Sequence, residues 1–370
     1  MEAENIGSLI SSNQTQAAVK LFDSEIKKGA APWEIHESLF ETVQPVLNPP
    51  FINPHLPKMY AICREFVPFL KPQDLPGLVR LEIAEYASRP RLAELPKADI
   101  PRRPIDFNGV EEAIAAGKRG ETAKCMAAFL NRHGGEEFAR RMLLLGSGYL
   151  NNSLGHSISC TAFILLEMLK KKNRDPWPVL SALAEYFCRG HFETTPTSDN
   201  KSPLSAGQME HHILRATSGQ GIINLHHTIT IYSIDRVRHL FRGEEQSMLI
   251  SAWIDFMGDK EPAEVMMDES GPESFTDYDH FYSLFSELNP KPLLKPLVEA
   301  TRTPDRIPAI KRYLARGVCD LYQGTYNPHY LTGLGSLFWL LDTCRDSDAI
   351  ILNGLFQYLD FFFNGLKSDD

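Results

Sequence analysis

The sequence lacks any apolar run that reaches the roughly 18 to 20 uncharged residues a membrane span needs, and its acidic start, MEAENIGSLI, lacks the basic and apolar regions of a signal peptide. The expectation is a cytoplasmic protein with no membrane partner. An excess of basic charge is also missing. The formal charge of −9, from 47 acidic against 38 basic residues spread along the chain, leaves no basic face for a phosphate backbone and argues against nucleic acid as a partner. There is no C-x-x-C pair. Cys63, Cys125, Cys160, Cys188, Cys319 and Cys344 stand singly, mostly inside apolar helical stretches, as reduced core thiols do. H-E-x-x-H is absent, because Phe40 stands where the second histidine after His36-Glu37 would be, and E-x-x-H, G-x-S-x-G and His-Asp are absent too. Gly219-Gln-Gly221 and Gly333-Leu-Gly335 follow no strand, so they read as close helix contacts.

What is present is helical periodicity. A chain of 370 residues with 43% hydrophobic content can bury a large core. Stretches such as Thr161-Ala-Phe-Ile-Leu-Leu-Glu-Met-Leu-Lys and Pro178-Val-Leu-Ser-Ala-Leu-Ala-Glu-Tyr-Phe carry apolar residues at i, i+3, i+4 and i+7. Thr228-Ile-Thr-Ile-Tyr is β-branched but too short and isolated to find a sheet partner, and is assigned to helix. The fold class is therefore all-α. Pro-rich or polar stretches at 88–107, 193–207 and 258–308, read as loops, leave four blocks at about 8–88, 110–192, 208–257 and 309–364.

Laid on one histidine each, the blocks align. His55, His156, His227 and His329 are followed by an apolar helix, a gap and a second helix carrying Tyr86, Tyr186, Trp253 and Tyr358, at separations of 31, 30, 26 and 29 residues. Asn-Pro-His recurs in the first and fourth blocks and Glu-Tyr in the first and second. The expectation is one helical domain over 1–370, built from four diverged pseudo-repeats around a shared central cavity.

Each of these histidines follows a turn and is read as opening a helix. The helix dipole disfavours a cation there, so the imidazole stays neutral and offers a lone pair. Four such helix starts pointing inward would form a nitrogen-rich metal site, which by itself suits zinc, copper, nickel or iron. Lys311, on an otherwise apolar face 18 residues before His329, and Glu37, 18 residues before His55, are candidates for an additional ligand. His36, His191, His211, His212 and His226 are further candidates to line the cavity, whereas His133, His239 and His280 read as surface residues. The aromatics Tyr86, Tyr186, Trp253 and Tyr358 read as core.

Gly155-His156-Ser-Ile-Ser-Cys-Thr161-Ala162-Phe with Leu183-Ala-Glu-Tyr186-Phe downstream, His227-Thr-Ile-Thr230, and Ile310-Lys311 followed by Asn327-Pro-His-Tyr330-Leu together resemble the questin oxidase-like family of helical oxidoreductases. Its members are oxygenases of polyketide-like aromatic compounds, some of them non-haem iron enzymes with histidine ligands and a carboxylated lysine. The resemblance implies Fe2+ held by His55, His156, His227 and His329, Lys311 as the modified catalytic lysine, and a small aromatic substrate with O2 as partners. Two other readings stay open on the residues alone: a zinc-dependent hydrolase using the same histidines, and a non-catalytic helical-repeat protein that binds a peptide or small ligand.

Overall fold

A computed structural model describes residues 5–97, 105–190, 203–263, 265–267, 271–322 and 327–368. Those residues form nineteen α-helices and two short 3-10 turns, with no strand among them beyond two isolated bridges, Val46 with Arg91 and Asn48 with Phe51. The all-α expectation holds. Thr228–Tyr232 lies within the helix Gly221–Val237. No described helix is long and apolar enough to cross a membrane, and no disulfide joins the six cysteines.

Four helices make the centre. His55–Cys63 packs on His156–Lys170, which packs on Gly221–Val237, which packs on His329–Thr343, which returns to His55–Cys63. These segments are apolar nearly all round rather than along one stripe, the pattern of a helix covered on every side. Every residue from His55 to Cys63 and from His329 to Leu341 is buried. Each central helix touches the helix that follows it in sequence: Leu75–Ser88, Trp177–Gly190, Gly243–Met257 and Asp348–Ser368.

The aromatics singled out on those outer helices are fully buried, and two of them act as ties. Tyr358 Oη donates to the Tyr330 carbonyl at 2.8 Å and Trp253 Nε1 to the His227 carbonyl at 2.9 Å. Tyr86 Oη donates to Glu82 Oε1 at 2.6 Å. Tyr358 and Trp253 therefore clamp the outer helix to backbone next to a site histidine. Each bond satisfies a polar group that would otherwise be costly to bury.

Two readings of the chain are corrected. The stretch 258–308 is not one long loop, because it carries the helices Tyr278–Phe285 and Lys291–Thr301. Tyr278, Phe281 and Phe285, and Leu293, Leu294, Leu297 and Val298, supply helical apolar faces that pack into the core. Burial of those faces outweighs the bond to the chain lost at Pro296, and Pro292 falls at the tolerated start of its helix. Gly219 and Gly221 are turn residues rather than helix contacts: both adopt left-handed backbone (φ +78° and +82°) where one helix ends at Thr217 and the next begins at Gly221. Gly333 and Gly335 do mark close approach, since added methyls would press on Leu225 and Tyr358 at 3.1 Å and on the Tyr232 hydroxyl at 3.2 Å. Residues 191–202, which include His191 and most of the second polar stretch, lie outside the described residues.

Candidate metal centre

Three of the four central helices start on a histidine: His55, His156 and His329 are the first residues of their helices. Their side chains converge. One nitrogen from each lies within 4.8 Å of the others, a group able to hold a metal ion. The ring centroids are 4.6 Å apart for His55 and His156, 5.1 Å for His55 and His329, and 5.8 Å for His156 and His329.

The third helix begins earlier than its histidine pair, at Gly221, so His226 and His227 lie more than a turn inside it and point about 100° apart. His226 is the one that faces the centre. Its Nε2 is 3.2 Å from His156 Nε2 and 2.9 Å from His329 Nε2. His227 instead lays its ring 4.8 Å from that of Phe256, on the side of Arg215 and Lys260. The structure thus brings together His55, His156 and His329 of the histidines named from sequence, and places His226 rather than His227 beside them.

The local chain explains the orientations. Gly155 sits in left-handed backbone at φ +79°, and a methyl there would stand 2.2 Å from Thr230 Oγ1. Only glycine lets the start of the His156 helix approach the Gly221–Val237 helix so closely. His156 Nδ1 is 2.7 Å from the Ser153 carbonyl and His329 Nδ1 is 2.9 Å from Asn327 Oδ1. Both partners accept, so in each ring Nδ1 carries the proton and Nε2 keeps its lone pair, the arrangement typical of metal-bound histidine. The Asn48 amide nitrogen lies 3.2 Å from His55 Nδ1 and donates to it, and His55 Nε2 has no hydrogen-bond partner among the described residues.

Electrostatics keep the rings neutral. Burial first, then the positive charge of Lys58, holds His156 down at about 3, and burial with the neighbouring rings and Lys58 holds His55, His226 and His329 well below the usual imidazole range. Nitrogen donors at the usual 2.0–2.1 Å from one ion lie about 2.9 to 3.4 Å apart in octahedral or tetrahedral geometry. The separations of 2.9 and 3.2 Å between His226 Nε2 and its two neighbours fall in that range. The group formed by His55, His156 and His329, uncharged and with donor atoms within 4.8 Å of one another, could hold a metal ion, and His226 stands beside it.

Lys311 is placed elsewhere. Although only 2% exposed, it pairs with Asp342 and lays its Nζ 4.6 Å from the Phe69 ring centre and 5.4 Å from that of Phe338. Glu37 pairs with Arg64 and Lys171. The lysine whose charge reaches all four rings is Lys58, one turn after His55 and 1% exposed. A lone lysine within the apolar run His55-Leu-Pro-Lys-Met-Tyr-Ala-Ile-Cys is the sequence signal that would have found it. His226 was within reach as a cavity candidate, but choosing it over its neighbour needed the helix start at Gly221. Of the other histidines, His36 is buried against Glu82 (2.9 Å), while His133 and His239 are exposed and His280 is half-buried. A surface cleft of about 910 Å³ is lined by Leu130, His133, Leu166 and Lys170 to Lys172, none of them a site histidine.

Compared with models of known families, with curated proteins and with solved structures, the chain matches none.

Proposed function

We propose that the protein is a metal-dependent oxidoreductase of the oxygenase kind, with one metal ion held by His55, His156, His226 and His329. The observation that carries the reading is the convergence of neutral imidazoles, with His226 Nε2 2.9 and 3.2 Å from two neighbouring Nε2 atoms. A bound redox metal would supply activation of O2; the preference for iron over zinc, and for an aromatic substrate, comes from the family resemblance. The chain's own part is to hold His156, His329 and His55 at fixed orientation through Ser153, Asn327 and Asn48, with His226 packed beside them, and to exclude bulk water by packing around the rings. The closed circuit of four helices supports the further proposals that the chain arose from four related units and that a substrate cavity opens beside the metal.

The test is metal content. Protein purified from unsupplemented cells should carry near-stoichiometric metal, as should His227→Ala, whereas His226→Ala should lose metal by a factor of about 100 or more in affinity, at least the effect of removing an outer-shell partner. Equal occupancy in His226→Ala and the unmodified protein would overturn the centre. Iron together with O2 uptake on aromatic substrates would support the oxygenase reading, and zinc in its place would refute it.

A further inference from the structure

Lys58 is the least expected side chain in the interior. It is 1% exposed, and among the described residues no carboxylate lies within ion-pair distance of it. Other buried or half-buried cations find acids: Lys311 pairs with Asp342, Lys171 with Glu37, and Arg312 with Asp74. An ammonium ion with no counter-charge is expensive to bury, whereas a neutral amine is tolerated.

Its position is set by the helices. Lys58 stands three residues after His55 and Cys160 four after His156, so each lies one turn beyond its histidine on the same face. The two helices pack together with the His55 and His156 rings 4.6 Å apart, and each of Lys58 and Cys160 bears electrostatically on the other. The amine therefore faces a centre otherwise lined by imidazoles and a thiol.

We infer that Lys58 is a nucleophile that binds an aldehyde or ketone substrate as a Schiff base beside the four histidines. With its side chain 1% exposed and no carboxylate within ion-pair distance, the amine is held in its neutral form by the cost of burying an unpaired charge, and the neutral form carries the lone pair a nucleophile needs. In the step, the Nζ lone pair forms a bond to the carbonyl carbon. The carbon–oxygen bond then breaks, the oxygen leaves as water with the two amine protons, and a carbon–nitrogen double bond remains. No oxidant or reductant is consumed. The inference rests on the reading of the cluster as an active site, but not on which metal occupies it.

The experiment is reductive trapping. Full-length protein, treated with a chelator, is incubated with benzaldehyde and cyanoborohydride near pH 7.5, and the adducts are mapped by peptide mass spectrometry. Expected is a benzyl adduct on the Lys58 peptide that forms at least ten times faster than on exposed lysines such as Lys28 and that is absent in Lys58→Met. The same adduct should persist in Lys311→Met. A Lys58 peptide that stays unlabelled while exposed lysines react would overturn the assignment, and so would equal rates at all sites. The two readings fail separately. Labelled Lys58 in a protein that never binds metal sinks the oxygenase and leaves the nucleophile, while stoichiometric metal with unlabelled Lys58 does the reverse.

Discussion

Acid should destabilise the metal-free protein through its buried rings, and the effect can be sized at His156. Burial, then Lys58, moves that imidazole from 6.5 to about 3, against a smaller opposing pull from the Ser153 carbonyl. Its folded form is neutral over a range where the unfolded chain takes up a proton. The contribution is therefore intact above pH 6.5 and is lost as pH falls from 6.5 towards 3, at about 1.4 kcal/mol per pH unit and about 5 kcal/mol in full. His55, His226 and His329 are shifted in the same direction and steepen the loss. Glu85, raised to about 7 by burial, takes up a proton in the folded state over part of this window and offsets at most one of them. A folded domain commands only about 5–15 kcal/mol in total, so two pH units below 6.5 should bring this one close to unfolding. The assay is urea denaturation followed by circular dichroism at pH 7.5, 6.5 and 5.5 with a chelator present, on the unmodified protein and on His156→Leu. Removing His156 should flatten the slope of stability against pH by about one proton. An unchanged slope would refute the argument, because it would mean that the ring is already protonated, and hence solvated, in the folded protein.

Other outcomes follow from the same geometry. Asn327→Ala removes the acceptor that holds His329 Nδ1 at 2.9 Å and should weaken metal binding by about 10- to 100-fold, measured by competition with a chromogenic chelator. Gly146→Ala places a methyl 2.6 Å from the Ser157 carbonyl, where helix Gly135–Ser147 meets helix His156–Lys170, and should cost about 1–3 kcal/mol in urea denaturation; a neutral result would show that the two backbones can separate freely. Tyr358→Phe deletes the 2.8 Å bond to the Tyr330 carbonyl and should cost about 1–3 kcal/mol, because that carbonyl is left buried.

Much of the architecture could be read before any coordinate. Helical period, the absence of alternating apolar patterns and the recurrent His-to-aromatic spacing are properties of local sequence, and the helices follow because apolar residues at i, i+3, i+4 and i+7 have one way to share a face. His55 and His329 open helices because Asn-Pro precedes each of them, and His156 because Gly155 does. These signals act within a few residues of the side chain they place. The remainder depended on long-range packing. Which of His226 and His227 faces the centre is a rotation of about 100°, decided by where the helix begins after Gly219 and Gly221 and by the neighbours on each side, Phe256 for one and the His156 and His329 rings for the other. Lys311 and Lys58 look alike in sequence, each a lysine in an apolar run. Only the assembled fold sets Asp342 against the first and leaves the second without an acid beside four neutral imidazoles, because a side chain's electrostatic environment is supplied by helices distant along the chain.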